Sequence, residues 1–553
     1  MSAASSPSMP HDRWPDRLAW VVLGAVALFS ALTFRDYGLG WDDLTHSQYG
    51  ERLLALYASG FRDTGALSFV NLYYYGGGFD MAAALLAKVS PFGLFETRRL
   101  LGAAVGIAGL VATWRIGRRI GGPLAGLLAL VLLAACPLYV GHMFINPKDA
   151  PFAAAMAVFL LGLVRALEQY PTPSPSTLLI LGAGFGLSIG SRILAGFGVL
   201  ETVGALALLF TVEARADGAR NAGARLWRFA ILLIPCAVLA YAVMAALWPW
   251  SVVNPLNPFR AVTYFSRFFE KPWQELFEGA LIAPPDMPRS YVPVLMGLKL
   301  PVVFLALSLA GLCGALVVSV RSTLTSQRRA ILLAVALAAV LPVAATVIER
   351  PAMYNGIRHF LFVLPPLAVA GGLACAWLAQ RTMRFGRAAT AALAVVFAAG
   401  IALPVAGMAR LHPYEYVYFN RLAGGVQAAQ HRYMLDYWGL AFKQAGNALR
   451  DQLAARGETP PAGHSWTIAV CGPHPPAQIA LGDRFTPTWD PKGADFALTL
   501  GAFYCAKLDA PVLLEIVRDG VVFVRAYDLR GRNVTTLFTQ PPVTRDDDTP
   551  PAR

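Results

Sequence analysis

Long apolar runs alternate with short polar segments from residue 18 to residue 409 of this chain. A helix needs roughly 20 apolar residues to cross the hydrocarbon core of a bilayer, and each run approaches that length. The pattern predicts eleven membrane-spanning helices, at residues 18–34, 97–114, 122–143, 150–167, 177–197, 198–214, 229–249, 292–320, 330–348, 359–380 and 388–409. The predicted fold class is therefore an α-helical polytopic membrane protein.

The pattern changes after residue 409. An amphipathic helix is predicted over 434–456, and alternating runs predict strands at Trp466–Val470 and Phe496–Leu500. Arg518-Asp519-Gly520 between two apolar runs predicts a hairpin. Residues 410–540 are thus expected to form an α+β domain. The tail at 541–553 is rich in proline and acidic residues, which favours disorder.

Composition and charge give this bundle an orientation. Hydrophobic residues make up 56% of the 553 residues and charged residues 14%, with a mean hydropathy of +0.52, which excludes a soluble protein. Arginines concentrate in the tail 1–17 and in alternate loops, which predicts a cytoplasmic N-terminus in an inner (plasma) membrane. The arginines that set this pattern are Arg13, Arg17, Arg115, Arg118, Arg119, Arg165, Arg215, Arg220, Arg225, Arg228, Arg321, Arg328, Arg329, Arg381, Arg384 and Arg387.

An odd number of spans then places residues 410–540 outside the cytoplasm. The arginine-rich loops explain much of the net charge of +13 without nucleic acid, for which the sequence has no basic and aromatic module. The first apolar run lacks a clear cleavage site, so no cleavable signal peptide is predicted.

The cysteines give one further expectation. Cys136, Cys236, Cys313 and Cys375 fall in predicted spans, where they are expected to pack as small apolar groups. Cys471 and Cys505 fall in the outside domain, where a disulfide between them is expected. None of the six has metal-site spacing.

The topology gathers unusual polar residues on the outer side of the bundle. Charges at membrane depth are unfavourable unless they are solvated or paired, so such a collection is a site hypothesis. Its members lie in the first outer loop (35–96), at the start of the fourth span, late in the fifth span and before the tenth: Asp42, Asp43, His142, Asn146, Lys148, Asp149, Arg192, Tyr354, Asn355, Arg358 and His359.

These residue types suit transfer from an anionic lipid. Lys148, Arg192 and Arg358 are predicted to hold a phosphate near a helix N-terminus, with Asn146, Asp149, Tyr354, Asn355 and His359 in support. A carboxylate beside such a cage can remove the proton of an acceptor while phosphate leaves. Direct displacement of this kind inverts the transferred carbon. Asp42 is the predicted general base, and Asp43 is expected to orient the acceptor or a divalent ion.

Structural alternatives stay open for each group. Asp42, Asp43, Asn146 and Asp149 could cap helices, and Lys148 could extend to lipid headgroups. Arg192 could form a structural ion pair, and the 354–359 loop could only anchor the tenth span. His46 and His142 are expected to be structural, since two scattered histidines do not make a zinc site.

The combination resembles the GT-C superfamily of membrane glycosyltransferases, in the branch of protein O-mannosyltransferases and the lipid A aminoarabinose transferase. The likeness spans about residues 15–410. Asp42 resembles the family's base, Asp149 the Asp that opens the fourth span, and Arg192 a basic residue near donor phosphate. Asp43 stands where Glu is common, and Asn146-Pro147-Lys148 replaces the usual Arg-containing approach. The resemblance implies a polyprenyl-phosphate sugar donor and inversion.

Aromatic residues form a second feature. The large outer loop 250–291 carries Pro255, Phe259, Tyr264, Phe265, Phe268, Phe269, Trp273 and Tyr291, after Trp248-Pro249-Trp250. It is interpreted either as an interfacial aromatic belt or as a lid over the donor. Tyr73-Tyr74-Tyr75, before three glycines, either stacks on a sugar or positions an interfacial helix.

The sequence therefore predicts an inverting transferase that moves a hexose or pentose from a polyprenyl phosphate to a lipid, glycan or protein acceptor. The sequence assigns no cofactor, and a divalent ion at the acidic pair is left open. The alternatives are a flippase of lipid-linked glycans and a non-catalytic sugar-lipid binding protein. The flippase is less favoured because no internal repeat is found, and a binding protein would be expected to lose the Asp pair.

Overall fold

A computed structural model describes residues 14–266, 274–321, 323–502 and 504–539. Within these ranges, nine helical segments are long and apolar enough to cross a membrane: Trp14–Thr33, Leu94–Ala134, Asp149–Glu168, Ile193–Asp217, Ala219–Leu247, Val302–Arg321, Ser326–Glu349, Arg358–Phe385 and Arg387–Leu411. Two shorter apolar helices are Gly78–Ala87 and Pro175–Ile189. The helical membrane fold with a C-terminal α+β domain is confirmed, and the total of eleven spans stays a prediction.

The longest segment, Leu94–Ala134, is two helices. Gly122 has a left-handed φ of 84°, and a Cβ placed on Gly126 would lie 2.8 Å from the Cβ of Arg118. Residues eight apart in one straight helix lie about 12 Å apart at 1.5 Å rise per residue. The chain therefore reverses at Gly122, which agrees with the two separate spans predicted on either side of it.

Several predicted spans are shorter or broken in the structure. The predicted 122–143 span ends at Ala134, and a separate helix, Pro137–Ile145, follows. Likewise 292–320 divides into Tyr291–Lys299 and Val302–Arg321. Pro137 and Pro301 stand at these breaks, because proline starts a helix well but cannot continue one.

Two helices form the centre of the bundle. The apolar windows of Asp149–Glu168 and Arg358–Phe385 are each 78% buried, against 11% for Arg387–Leu411. The first residues of both central helices, Asp149 and Arg358, belong to the predicted site. The segment between the first two long helices adds a helix at Asp43–Ala58, which lies against Gly78–Ala87.

The C-terminal domain contains a mixed five-stranded sheet. Its strands are β3 (Trp466–Cys471), β4 (Phe485–Thr488), β5 (Phe496–Leu500), β6 (Val512–Arg518) and β7 (Val521–Asp528), ordered β4-β3-β5-β7-β6. The β4-β3-β5 pairs are parallel and the β5-β7-β6 pairs antiparallel. β1 (Glu275–Phe277) and β2 (Ala280–Ile282) form a separate hairpin before Tyr291–Lys299. The predicted hairpin turn is present, with Asp519 and Gly520 both at positive φ.

The predicted helix over 434–456 is shorter, at Phe442–Ala455. The carboxylate of Asp436 accepts hydrogen bonds from the backbone amides of Leu440 and Ala441, both at 3.0 Å. Gly439 has a left-handed φ of 74°. An acidic side chain that satisfies these amides favours a helix start after residue 440, so the periodic pattern overestimated the helix. A second helix of this domain spans His474–Leu481.

The predicted disulfide between Cys471 and Cys505 is confirmed. It links the end of β3 to the segment between β5 and β6. Cys236, Cys313 and Cys375 lie in helices as expected, whereas Cys136 lies between two helices. The remaining short helices are Trp250–Val253, Asn257–Ser266 and Gly425–Ala429. The predicted tail 541–553 lies outside the described residues.

Candidate active site

Asp42 stands immediately before the helix Asp43–Ala58. Its side chain makes no capping hydrogen bond, so the capping alternative does not describe it. Instead, its Oδ2 accepts a hydrogen bond from Lys148 Nζ at 3.1 Å. The Asp42 side chain is 41% exposed and that of Lys148 is 13% exposed. Of the two predicted acidic residues, Asp42 is the one that an acceptor can approach.

The charges around Asp42 favour its ionised form. Desolvation raises the pKa of the Asp42 carboxyl, but its electrostatic interactions with Lys148, His46 and Arg358 outweigh this effect. The net result is a pKa well below the usual value. Asp42 is therefore a carboxylate at neutral pH, as a general base must be.

Asp43 has different surroundings. It is 2% exposed, and Arg99 binds both of its oxygens, with Nη1–Oδ1 at 3.0 Å and Nη2–Oδ2 at 2.7 Å. The backbone amide of Gly40 donates a third hydrogen bond, at 2.8 Å. These partners occupy the carboxylate, so its geometry favours a positioning role over contact with an acceptor or a divalent ion.

A second buried ion pair supports the same region. Asp80 accepts from Arg98 Nη2 at 2.6 Å and lies 2.5 Å from His46 Nδ1. Asp43 and Asp80 both lie in the segment between the first two long helices. Their partners Arg99 and Arg98 both lie at the start of Leu94–Ala134. Sequence reasoning missed Arg98 and Arg99. A sequence signal for them exists: two consecutive arginines at the outer end of a span are contrary to the positive-inside pattern. Such arginines indicate carboxylate partners, and the preceding outer loop contains several acids.

Asp149 joins two arginines from distant parts of the chain. Arg192 Nη1 lies 2.8 Å from its Oδ1, and Arg358 Nη1 lies 3.0 Å from its Oδ2. All three side chains are buried. The structure thus brings together Arg192 and Arg358, two of the residues predicted to hold phosphate, on Asp149, which was predicted to support them. The structural ion pair considered for Arg192 is present.

Asn146 fixes the start of this helix. Its Oδ1 accepts from the backbone amides of Lys148 at 3.1 Å and Asp149 at 2.7 Å, and its Nδ2 donates to Asp149 Oδ2 at 2.8 Å. Asn146 therefore has the capping role that was an alternative. Asn146 already occupies these first two backbone amides. A phosphate at this helix start would therefore be bound by the side chains of the cations and not by these amides. His142 lies beside Asn146, 3.4 Å from its Nδ2 and from the hydroxyl of Tyr437.

Aromatic rings pack beside the three cations of the site. The Tyr75 ring centroid lies 5.3 Å from Lys148 Nζ and 5.4 Å from Arg192 Cζ. Arg358 Cζ lies 5.1 Å from the Tyr354 ring, which contacts the ring of His359 edge-on at 5.1 Å. Asn355 follows at a positive φ of 55°. Rings at these distances attract the cations and hold them in place.

A cavity of about 190 Å³ opens beside Arg192. Tyr75, Arg192, Tyr354 and His359 form its polar wall. The rest of the lining is mostly apolar: Ile193, Leu194, Phe197, Phe265, Pro342, Thr346, Pro351, Ala352, Met353, Phe360 and Phe362. This division suits a ligand with an anionic group at one end and a hydrocarbon chain at the other.

The aromatic loop contacts the tyrosine triplet. Tyr74 stacks on Tyr264 with centroids 4.1 Å apart, and Trp248 Nε1 donates to the carbonyl of Tyr73 at 2.9 Å. Phe268, Phe269 and Trp273 lie outside the described residues. Both interpretations of the loop, as a lid over the donor and as an interfacial aromatic belt, stay predictions.

The charges of the site do not balance. Lys148, Arg192 and Arg358 are opposed by the two carboxylates of Asp42 and Asp149. One positive charge is therefore left, beside a cavity that Arg192 lines. Among the residues that the structure describes, no group of three His, Cys, Asp or Glu side chains gathers as a metal site would require.

A family model matches part of the chain. The model of the dolichyl-phosphate-mannose-protein mannosyltransferase family matches residues 79–241, which include Lys148, Asp149 and Arg192. No curated protein matches the chain.

Solved structures give distant similarities. ArnT from Cupriavidus metallidurans bound to undecaprenyl phosphate is 18% identical, with 93% of this chain and 99% of that chain covered and a TM-score of 0.46. An Archaeoglobus fulgidus oligosaccharyltransferase tethered with an acceptor peptide is 14% identical, with 88% and 65% covered and a TM-score of 0.48. Arabinofuranosyltransferase AftD from Mycobacteria is 14% identical, with 95% and 40% covered and a TM-score of 0.43.

Proposed function

We propose that this chain is a membrane glycosyltransferase of the GT-C superfamily that transfers a sugar from a polyprenyl-phosphate donor with inversion. The family match over residues 79–241 supports this proposal. The acceptor is a lipid, glycan or protein. The reaction takes place at the outer face of the inner membrane, which is the side that the arginine pattern assigns to Asp42. The C-terminal domain and its disulfide then lie in the oxidising compartment.

The unbalanced charge of the site supports the donor class. A sugar linked to a polyprenyl chain through phosphate carries one negative charge on its phosphodiester. Lys148 is the cation best able to reach it, because it is the most exposed of the three and its partner Asp42 is itself accessible. Arg192 and Arg358, held by Asp149, supply fixed positive charge, and the apolar part of the cavity suits the first isoprene units.

Asp42 is the base in this proposal. The acceptor oxygen attacks the anomeric carbon, the bond from that carbon to the phosphate oxygen breaks, and the proton of the acceptor passes to Asp42. Polyprenyl phosphate leaves with the electron pair of the broken bond. Lys148 and the two arginines stabilise the charge that develops on it.

The ion pair between Asp42 and Lys148 links donor binding to the base. While Lys148 lies 3.1 Å from Asp42, it lowers the proton affinity of that carboxylate. A donor phosphate competes with Asp42 for the same ammonium group. When Lys148 moves toward the phosphate, Asp42 becomes a stronger base. The base is therefore strengthened only when a donor is bound.

Asp43 and Asp149 act as positioning residues. Asp43 fixes the start of the helix Asp43–Ala58 through Arg99, and so the backbone of Asp42. Asp149 holds Arg192 and Arg358 on one carboxylate. Neither has room for an acceptor, because both are buried among their partners.

The observation that carries the proposal is the accessible, ionised Asp42 beside a cation excess and an amphipathic cavity. Its test uses purified protein with polyprenyl-linked sugars and envelope acceptors extracted from the native cells. We expect the wild-type protein to release free polyprenyl phosphate together with a new glycoconjugate, both measured by mass spectrometry, and Asp42→Asn to release neither. Movement of intact donor across vesicles without its cleavage would support the flippase instead and overturn the proposal.

A further inference from the structure

A second cavity, of about 200 Å³, lies where the helical bundle meets the C-terminal domain. One wall comes from the ends of the first two long helices and the segment that follows the first, including Phe34, Tyr37 and Arg99. The opposite wall comes from the helices Phe442–Ala455 and His474–Leu481, including Lys443 and Arg450. It shares no lining residue with the cavity beside Arg192.

Its position matches the headgroup layer of a membrane. The first span ends at Thr33, next to Phe34, and the second begins at Leu94, next to Phe95 and Glu96. Residues at the ends of two adjacent spans lie where the hydrocarbon core gives way to headgroups. Apolar side chains in the lining, such as Leu39 and Ile479, stand beside its cations.

The cations of this cavity lack sufficient counter-charge. Lys443 Nζ donates to the backbone carbonyls of Arg35 and Tyr37. Arg450 donates to the neutral side chain of Asn447 at 2.7 Å. Across the described residues, neither Lys443 nor Arg450 has a carboxylate within ion-pair distance.

The nearby charged groups reinforce this excess. Glu96, the acid in the lining, already pairs with Arg35 at 3.4 Å, and Arg99 is paired with Asp43. The Arg99 Nε is buried without a hydrogen-bond partner. Burial and the charge of Arg99 lower the pKa of Lys443, against the weaker opposing effects of Asp36 and Glu96. An anion beside Lys443 would offset the charge of Arg99, and Arg450 lines the same cavity.

We propose that this cavity binds the anionic headgroup of a membrane phospholipid, with its phosphate between Lys443 and Arg450 and its glycerol and first methylenes against the apolar wall. The site stands apart from the donor site, so its occupancy does not depend on the function proposed above. A lipid bound there would join the C-terminal domain to the bundle beside the segment 34–42 that leads to Asp42.

The test is native mass spectrometry of the full-length protein titrated with phosphatidylglycerol, with phosphatidylcholine as the zwitterionic comparison. We expect tighter binding of phosphatidylglycerol, and a loss of at least about tenfold in the double variant Lys443→Gln/Arg450→Gln, as for removal of a charge-assisted hydrogen bond. Lys443→Arg should retain binding. Arg421→Gln, a change of an exposed cation outside the cavity, should leave it unchanged.

Three results would overturn the proposal: equal binding of the two lipids, equal binding by the wild-type protein and the double variant, or full competition by free glycerol phosphate at the concentration of lipid. The last would indicate a site for a soluble phosphate. If the double variant melts at a lower temperature, Arg450→Gln alone decides the matter. Arg450 is exposed, so its loss should weaken lipid binding without affecting the fold.

Discussion

Lys148→Gln separates the two roles that a cation can have at this site. The pair that it forms with Asp42 spans 3.1 Å, and 41% of the Asp42 side chain is exposed. The Lys148 side chain is 13% exposed, so the pair is half-buried, but Asp42 stays accessible to water after the substitution. We therefore expect a loss near the upper end of the range for surface ion pairs, about 1 kcal/mol, and a small change in melting temperature. A charge-assisted bond to a donor phosphate contributes about 1.5–3 kcal/mol, so apparent donor affinity should fall by about one to two decades.

The same substitution should change the pH profile. The pKa of Asp42 is depressed, so in the wild-type protein the carboxylate persists until the pH falls well below the usual carboxyl range. Without Lys148, burial still raises this pKa while the largest opposing charge is gone. The acid limb of kcat/KM should therefore move to higher pH in Lys148→Gln.

The assay measures initial rates of polyprenyl phosphate release against donor concentration from pH 4 to pH 8, in detergent, with melting curves on the same samples. Lys148→Arg is the matched control, because it retains the charge. Unchanged donor dependence together with an unshifted acid limb would refute the role of Lys148. A large fall in melting temperature with normal donor use would make the pair structural.

Three further changes test the supporting structure. Asp149→Asn leaves Arg192 and Arg358 uncompensated and should lower the free energy of unfolding by about 3–5 kcal/mol, measured by thermal melting against the exposed control Asp483→Asn. Arg99→Gln leaves Asp43 buried without its charge partner and should lower both melting temperature and transfer rate; a normal melting curve would contradict the positioning role of this pair. Cys471→Ser should lower the free energy of unfolding by about 2–4 kcal/mol under non-reducing conditions, and an unchanged melting curve would show that the disulfide is dispensable.

The helical fold could be predicted because hydropathy reports the chain's environment directly. Apolar runs of membrane length located most of the helices, and Asp519-Gly520 located a hairpin because both residues tolerate positive φ. Hydropathy does not show where a helix is interrupted within an apolar run. Pro301 lies inside an apolar run, and only the structure shows that the helix ends before it.

The sequence predicted which residues belong to the site but not which of them form ion pairs with one another. Sequence position indicated that Asp42, Lys148, Asp149, Arg192 and Arg358 share one end of the bundle. It did not indicate that Asp149 binds both arginines, because ion pairs depend on side-chain geometry between helices far apart in the chain.

The different environments of the adjacent acids also required the structure. Asp42 and Asp43 are equivalent by composition, yet one is accessible and the other is enclosed. The difference arises because Arg99 binds both carboxylate oxygens of Asp43, the first residue of the helix Asp43–Ala58. Arg99 itself has a sequence signal, since a cation at an outer span end calls for a nearby carboxylate.

The role of Asp42 in sugar transfer is tested most directly by mass analysis of envelope lipids and glycans from cells that lack the protein, complemented with the wild-type gene or with Asp42→Asn at equal expression. If Asp42 is the base of a sugar transfer, one sugar modification is missing in the deletion strain, returns with the wild-type protein and stays missing with Asp42→Asn. Full restoration by Asp42→Asn would contradict it.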